Sequence, residues 1–165
     1  MPSATWYRIV KRERRSRDDV LRSQGGRFQG ETDEGPMTYV ADSLRTAWRE
    51  VTAHLGVPAN PRAFRAWRVT VTGARLVDLR EADQRTRFQI TAQDLAAVPA
   101  PPTCAAAASR VRRDRDGSHG LIYPSVRNPP DGVCAVLFLE RTEALIELEP
   151  VGEDEWEQFM REGDG

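Results

Sequence analysis

Hydrophobic and polar positions alternate from Thr5 to Val10 (TWYRIV), and the β-formers among them predict a half-buried strand. Lys11 to Arg22 is polar and basic, and reads as a solvated strand end or a short helix. Gln24 to Pro36 (QGGRFQGETDEGP) mixes glycines, acids and a proline, which predicts a long irregular loop. Loops of that length inside a small domain carry function more often than average. Met37 to Ala41 (MTYVA) reads as a second strand. Asp42 or Ser43 can cap the helix that follows, which ends near Gly56 with Pro58 just beyond. On it Leu44, Ala47, Trp48, Val51 and Leu55 define one apolar face, as a helix packed on a sheet requires.

Phe64 to Thr72 and Arg75 to Leu79, separated by Gly73-Ala74, predict a hairpin of alternating strands. After a polar segment, Thr91 with Asp94 has the spacing of a capping box for a short helix ending before Pro99. Pro99, Pro101 and Pro102 then break the chain, and Thr103 can cap a helix from Cys104 to Arg113 that Gly117 ends. Gly120 to Tyr123 reads as a buried strand stopped by Pro124, and Val133 to Leu139, the most apolar run, as a central strand. Ala144 to Leu148 alternates as a strand does. Trp156, Phe159 and Met160 predict a short closing helix, whereas the acids from Glu153 onward predict a solvated end. Strands dominate and the helices are scattered among them, so the pattern predicts an α+β fold rather than a doubly wound parallel sheet.

With 165 residues the chain suits one domain, its core over residues 6–149 and an acidic tail over 153–165. Lysine plus arginine number 24 against 25 acids, so no global field favours a nucleic acid or an anionic membrane. Lys11 is the sole lysine; the remaining basic side chains are guanidiniums, suited to forked contacts with carboxylate or phosphate. Cys104 and Cys134 form no CxxC pair and have only His54 and His119 to join them, so both read as reduced core residues and no metal site is expected. No run approaches the ~18 apolar residues that span a bilayer, and the N-terminus lacks the pattern of a cleaved leader. A cytoplasmic location is the expectation.

Three places hold candidate chemistry. Gly25-Gly26-Arg27 puts a guanidinium on a turn where backbone can approach a phosphate closely, though the same tripeptide also describes a hairpin turn with a surface arginine. It is neither GxGxxG nor a Walker motif. Glu50 lies beside Ala47 at the edge of the apolar stripe, either solvated or facing a cleft next to the sheet, and His54 follows one turn later. Tyr123 to Pro129 (YPSVRNP) gathers polar and restricted residues after a buried strand. Ser125 sits in no GxSxG elbow, so a Ser-His-Asp hydrolase has little support.

Together these blocks resemble the RES family, a bacterial domain named for an arginine, a glutamate and a serine, which here fall at Arg27, Glu50 and Ser125. GGRFQ and then MTYVADSLRTAWREV resemble its Gly-Gly-Arg-Trp-Asn, its aliphatic-Tyr-Thr/Ala strand and its helix with Ala-x-x-Glu; GLIYPSVRNPPDGVCAVLF resembles its Tyr-Pro-Ser-x-Arg segment and following strand. Trp6-Tyr7-Arg8-Ile9 is similar to its opening strand. The likeness runs from about Trp6 to about Phe138, with 62–102 matching only in general character. Phe28-Gln29 stands where the family has Trp-Asn, and the loop after it is acidic through Glu31, Asp33 and Glu34.

The resemblance implies an ADP-ribosyltransferase-like fold, a split and mainly antiparallel β-core with helices around an NAD+ cleft. It implies a toxin of a type II toxin–antitoxin system that breaks the nicotinamide–ribose bond of NAD+, foremost by phosphorolysis with inorganic phosphate as co-substrate. Hydrolysis and protein ADP-ribosylation break the same bond. On that template Glu50 stabilises the oxocarbenium-like ribose, Arg27 holds a phosphate of the dinucleotide, and Tyr39 stacks on nicotinamide or bonds the ribose. Ser125 bonds the ribose or the carboxamide, and Arg8 and Arg127 are further candidates for the pyrophosphate or the incoming phosphate. The implied partner is an Xre-type antitoxin that blocks the pocket and carries any DNA binding; a homo-oligomer stays open. A non-catalytic NAD-binding module is the other class of reading, and Phe28-Gln29 is the feature that points to it.

Overall fold

A computed structural model describes residues 1–23, 25–30, 35–55 and 59–162. Gln24, the acidic Glu31, Asp33 and Glu34, and the expected helix stop at Gly56 and Pro58 lie outside them. The alternating start forms β1 (Ser3–Lys11), and the basic stretch after it holds a short helix α1 (Arg17–Leu21). Ser16 caps α1, and Val20 and Leu21 on it are fully buried, so the segment is anchored rather than solvated. β2 (Met37–Ala41) and α2 (Leu44–Leu55) follow, with Ser43 Oγ accepting from Thr46 N at 3.0 Å as the helix cap. Ala47 and Trp48 are buried, but Leu55 is exposed, so the apolar stripe ends before the last turn.

β3 (Phe64–Thr72) and β4 (Leu76–Asp78) exist as expected, but they do not form a hairpin. β3 pairs antiparallel with β1 along its length, from Ser3↔Thr72 to Lys11↔Phe64, while β4 pairs parallel with β5 (Gly120–Pro124) through Leu76↔Gly120. The chain is drawn away by an exchange with His119: Arg75 N donates to the imidazole Nδ1 of His119 at 3.0 Å and His119 N donates to Arg75 O at 2.8 Å. Gly73, at φ +77°, supplies the turn but not the pairing.

The polar segment after β4 contains α3 (Ala82–Arg87), unexpected from its composition and seated by the buried Phe88 and Ile90 beyond it. α4 (Ala92–Ala96) has the Thr91–Asp94 capping box in full. α5 (Pro102–Arg113) begins two residues earlier than a Thr103 cap would set it: Pro101 is the N-cap and Pro102 takes the first turn, where a missing N–H costs nothing. β6 (Val133–Phe138) is the apolar strand, and α6 (Leu139–Thr142) plus a helical turn at 143–145 delay β7 to Ile146–Pro150. α7 (Glu153–Glu162) closes the described chain. Its Trp156 is buried edge-on to Trp48 at 5.8 Å, so the acidic end is a docked helix and not a solvated tail.

Among the described residues seven strands run in the order β4-β5-β6-β2-β1-β3-β7, antiparallel except at β4–β5. The expected α+β class, mainly antiparallel, holds. Only three residues join β3 to β4, a reach of about 14 Å, whereas their separation in a flat sheet would be about 24 Å. The sheet therefore curls. One face carries the larger core under α2, α4, α5 and α7; the other packs Trp6, Val69, Val71, Leu137 and Leu139 with Leu21 of α1. β1 and β2 share a single pair, Tyr7↔Ala41, so the sheet parts between them. No helix among the described residues is long and apolar enough to cross a membrane.

Candidate active site

Where β1 and β2 part, a cleft of about 660 Å³ opens, a size usual for small-molecule and cofactor sites. Arg8, Arg27, Tyr39, Glu50 and Arg127 all line it. Ser125 does not.

Glu50 projects from α2, and one of its oxygens is held twice. Ser125 Oγ donates to Oε1 at 2.6 Å, and Cys134 Sγ, from β6, lies 3.7 Å from the same oxygen. Oε2 has no partner among the described residues. The Ser125 hydroxyl in turn accepts from Arg127 N at 3.2 Å and Asn128 N at 3.1 Å, which saturates it. Ser125 is only 3% exposed, so the expected ribose or carboxamide contact is replaced by a role behind Glu50. Burial and the neighbouring Glu50 charge push the Cys134 thiol up, which keeps its proton on sulfur.

The loop bearing Ser125 is clamped onto α2. Ser125 N donates to Gly132 O at 2.8 Å and Gly132 N to Asn128 O at 2.7 Å, closing the loop on itself. Asn128 then reaches the helix: Nδ2 donates to Thr46 Oγ1 at 2.9 Å, and Oδ1 accepts from Arg49 Nη1 at 2.7 Å. Both contacts fall within one turn of Glu50.

The Gly-Gly-Arg turn is built against Tyr39. Gly26 has φ +143°, and a Cβ there would lie 2.4 Å from Tyr39 Cζ, closer than side chains tolerate. Tyr39 Oη accepts from Phe28 N at 3.0 Å, while desolvation raises the phenol to about 12 against the bonds from the 28–29 backbone. Phe28 is buried edge-on to Tyr123 at 4.8 Å, so the aromatic in the family's tryptophan position braces the cleft wall. Arg27 lines the cleft while donating to Ala97 O at 2.8 Å and Asp94 O at 3.3 Å, which ties the turn to the C-terminal end of α4.

Arg8 has a different role from a free ligand-binding group. Nε donates to Val20 O at 2.5 Å, Nη1 to Tyr39 O at 2.8 Å and Nη2 to Arg22 O at 3.3 Å. The guanidinium bridges the parted strands where backbone pairs are missing. Desolvation, then the charge of Arg14, lower it to about 10, so it stays cationic at neutral pH. Arg14 and Arg127 line the cleft with no side-chain partner among the described residues. His54 lines it too, exposed, with no bond to Glu50 among the described residues.

Cys134 and Arg14 carry no site signal in the sequence, and Tyr123 and Asn128 fall within the YPSVRNP block without a role of their own. Cys134 was legible only as an apolar strand position, since no local pattern shows that it meets a carboxylate 84 residues away. Both cysteines are free and buried, as expected. Among the described residues no group of three or more His, Cys, Asp or Glu could hold a metal.

An α+β fold whose curled sheet is split beside a cleft lined by a carboxylate defines the class of protein. The chain belongs to the RES-domain family, whose model matches residues 5–159. Among solved structures it is similar to a chain from the crystal structure of the M. tuberculosis MbcT–MbcA toxin–antitoxin complex, at 20% identity and a TM-score of 0.68, covering 95% of this chain and 88% of that one. No curated protein sequence matches it.

Proposed function

We propose that this domain cleaves the nicotinamide–ribose bond of NAD+ and acts as the toxin of a type II toxin–antitoxin pair. The observation that carries the reading is the Glu50 carboxylate, fixed through Oε1 by two donors and left unbonded at Oε2 among the described residues, in a cleft that arginines also line. As the C1″–N bond breaks, its electron pair leaves with nicotinamide and positive charge develops on the ribose; a carboxylate oriented beforehand stabilises that charge without reorganising. Arg27 and Tyr39 form the wall beside it, and Arg127 with Arg14 supplies cationic groups for the phosphates of the substrate.

Phosphorolysis is the preferred outcome: an oxygen of inorganic phosphate forms the bond to C1″, giving ADP-ribose-1″-phosphate and free nicotinamide. The likeness to a chain of a toxin–antitoxin complex supports a protein antitoxin as partner, and an Xre-type protein that covers the cleft is the form the family suggests.

Purified protein incubated with NAD+, with and without phosphate, tests this. Nicotinamide release that requires phosphate and disappears in Glu50→Gln supports it. Release without phosphate shifts the reaction to hydrolysis, and label transferred to a lysate protein shifts it to ADP-ribosylation. NAD+ left intact under all these conditions, yet bound in calorimetry, leaves the non-catalytic module.

A further inference from the structure

We propose that Cys134 is a second positioning residue for Glu50, acting with Ser125 to fix Oε1 so that Oε2 alone serves the cleft. The inference rests on the reading that Glu50 serves NAD+ cleavage. On β6, Cys134 pairs with Ala41 of β2 on one side and Tyr123 of β5 on the other, and all three residues line the cleft. A buried cysteine is ordinarily a small hydrophobe. Here its sulfur is within reach of a carboxylate oxygen that already accepts from Ser125.

The two donors come from different pieces of structure, a strand and the clamped loop after β5. One hydrogen bond fixes a distance but lets the carboxylate swing about the donor–acceptor line. A second donor on the same oxygen removes that freedom. The thiol suits the task because it stays protonated: a thiolate there would face Glu50 as a like charge and would have no proton to give.

Packing and donation make opposite forecasts for three variants. Valine fills the apolar site without a donor, alanine leaves a gap without a donor, and serine is a poor packer that restores an O–H. We expect kcat for NAD+ cleavage to fall about three- to tenfold in Cys134→Val and Cys134→Ala, the worth of one modest hydrogen bond, with KM held within about twofold. Cys134→Ser should keep at least about half of the wild-type kcat although its melting temperature is the lower. Activity that follows melting temperature, with valine near wild type and serine worst, overturns the proposal.

A second readout needs no turnover. In protein labelled with 13C at glutamate carboxyls, with Glu50 assigned by its loss in Glu50→Gln, Cys134→Val should move the Glu50 resonance and Cys134→Ser should bring it back. A resonance unmoved by valine overturns the positioning role even if the wild type proves to leave NAD+ intact, an outcome that would separately remove the proposed function.

Discussion

Ser125 donates its only hydroxyl proton to Glu50 Oε1 at 2.6 Å, joining two of the three family-defining residues across 75 positions of sequence. The serine is thereby committed to the glutamate and not to a substrate. Removing the hydroxyl frees the carboxylate and the backbone N–H groups of residues 127 and 128 together.

Ser125→Ala should therefore lower kcat about 10- to 100-fold, the equivalent of about 1.5–3 kcal/mol for a hydrogen bond to a charged group. NAD+ affinity by calorimetry should change less than about threefold. A weakened affinity with kcat preserved would restore Ser125 to the role of ligand contact.

Arg8 offers a test of structure against binding. Its guanidinium satisfies the carbonyls of Val20, Tyr39 and Arg22 where the sheet parts. Arg8→Met should cost about 2–4 kcal/mol in urea unfolding, because it strands these acceptors beside the cleft. Lysine, lacking the planar fork, should recover only part. Unchanged stability with a loss of NAD+ affinity would return Arg8 to the phosphate-binding set.

The parts of this fold that show in the sequence are those whose signals are local. The Thr91–Asp94 box, the Met37–Ala41 strand and the start of α2 are each set by residues a few positions apart. Pairing is a different kind of property. Gly73-Ala74 has the look of a hairpin turn, yet what decides the partner of β4 is the His119–Arg75 exchange, 44 residues apart. The site divides in the same way. Arg27, Tyr39 and Glu50 were found from motif and order, whereas Cys134 and Asn128 depend on α2 meeting β6 and its loop, which no window of sequence contains.

Tyr39 predicts a specific alkaline instability. Its phenol holds its proton to about 12 in the folded state, against an unfolded value of about 10. Between those values the unfolded chain loses the proton while the folded one keeps it, so stability that is full below pH 10 is lost as pH rises toward 12. The loss attributable to Tyr39 is on the order of 2–3 kcal/mol over the window. Urea midpoints at pH 9, 10 and 11 should fall more steeply for the wild type than for Tyr39→Phe, whatever the variant's starting stability. Parallel slopes would mean that the phenol is not desolvated as the structure has it.

Trp156 tests whether the acidic end belongs to the fold. The indole is buried against Trp48 at 5.8 Å and stacks on Phe159 at 5.7 Å, while Glu153, Asp154 and Glu155 occupy the first turn of α7, where the helix dipole favours acids. Trp48 lies two residues before Glu50 on α2, so α7 braces the helix that carries the carboxylate. Trp156→Ala should remove about 3–5 kcal/mol by the cavity it leaves. Glu153→Gln, which disturbs the exposed pair with Arg12 and one of three first-turn acids, should cost about 1 kcal/mol or less. Thermal melts of the two variants separate a docked helix from a solvated tail: equal, small shifts would place the end outside the cooperative unit, whereas a large shift for Trp156→Ala alone ties it to α2.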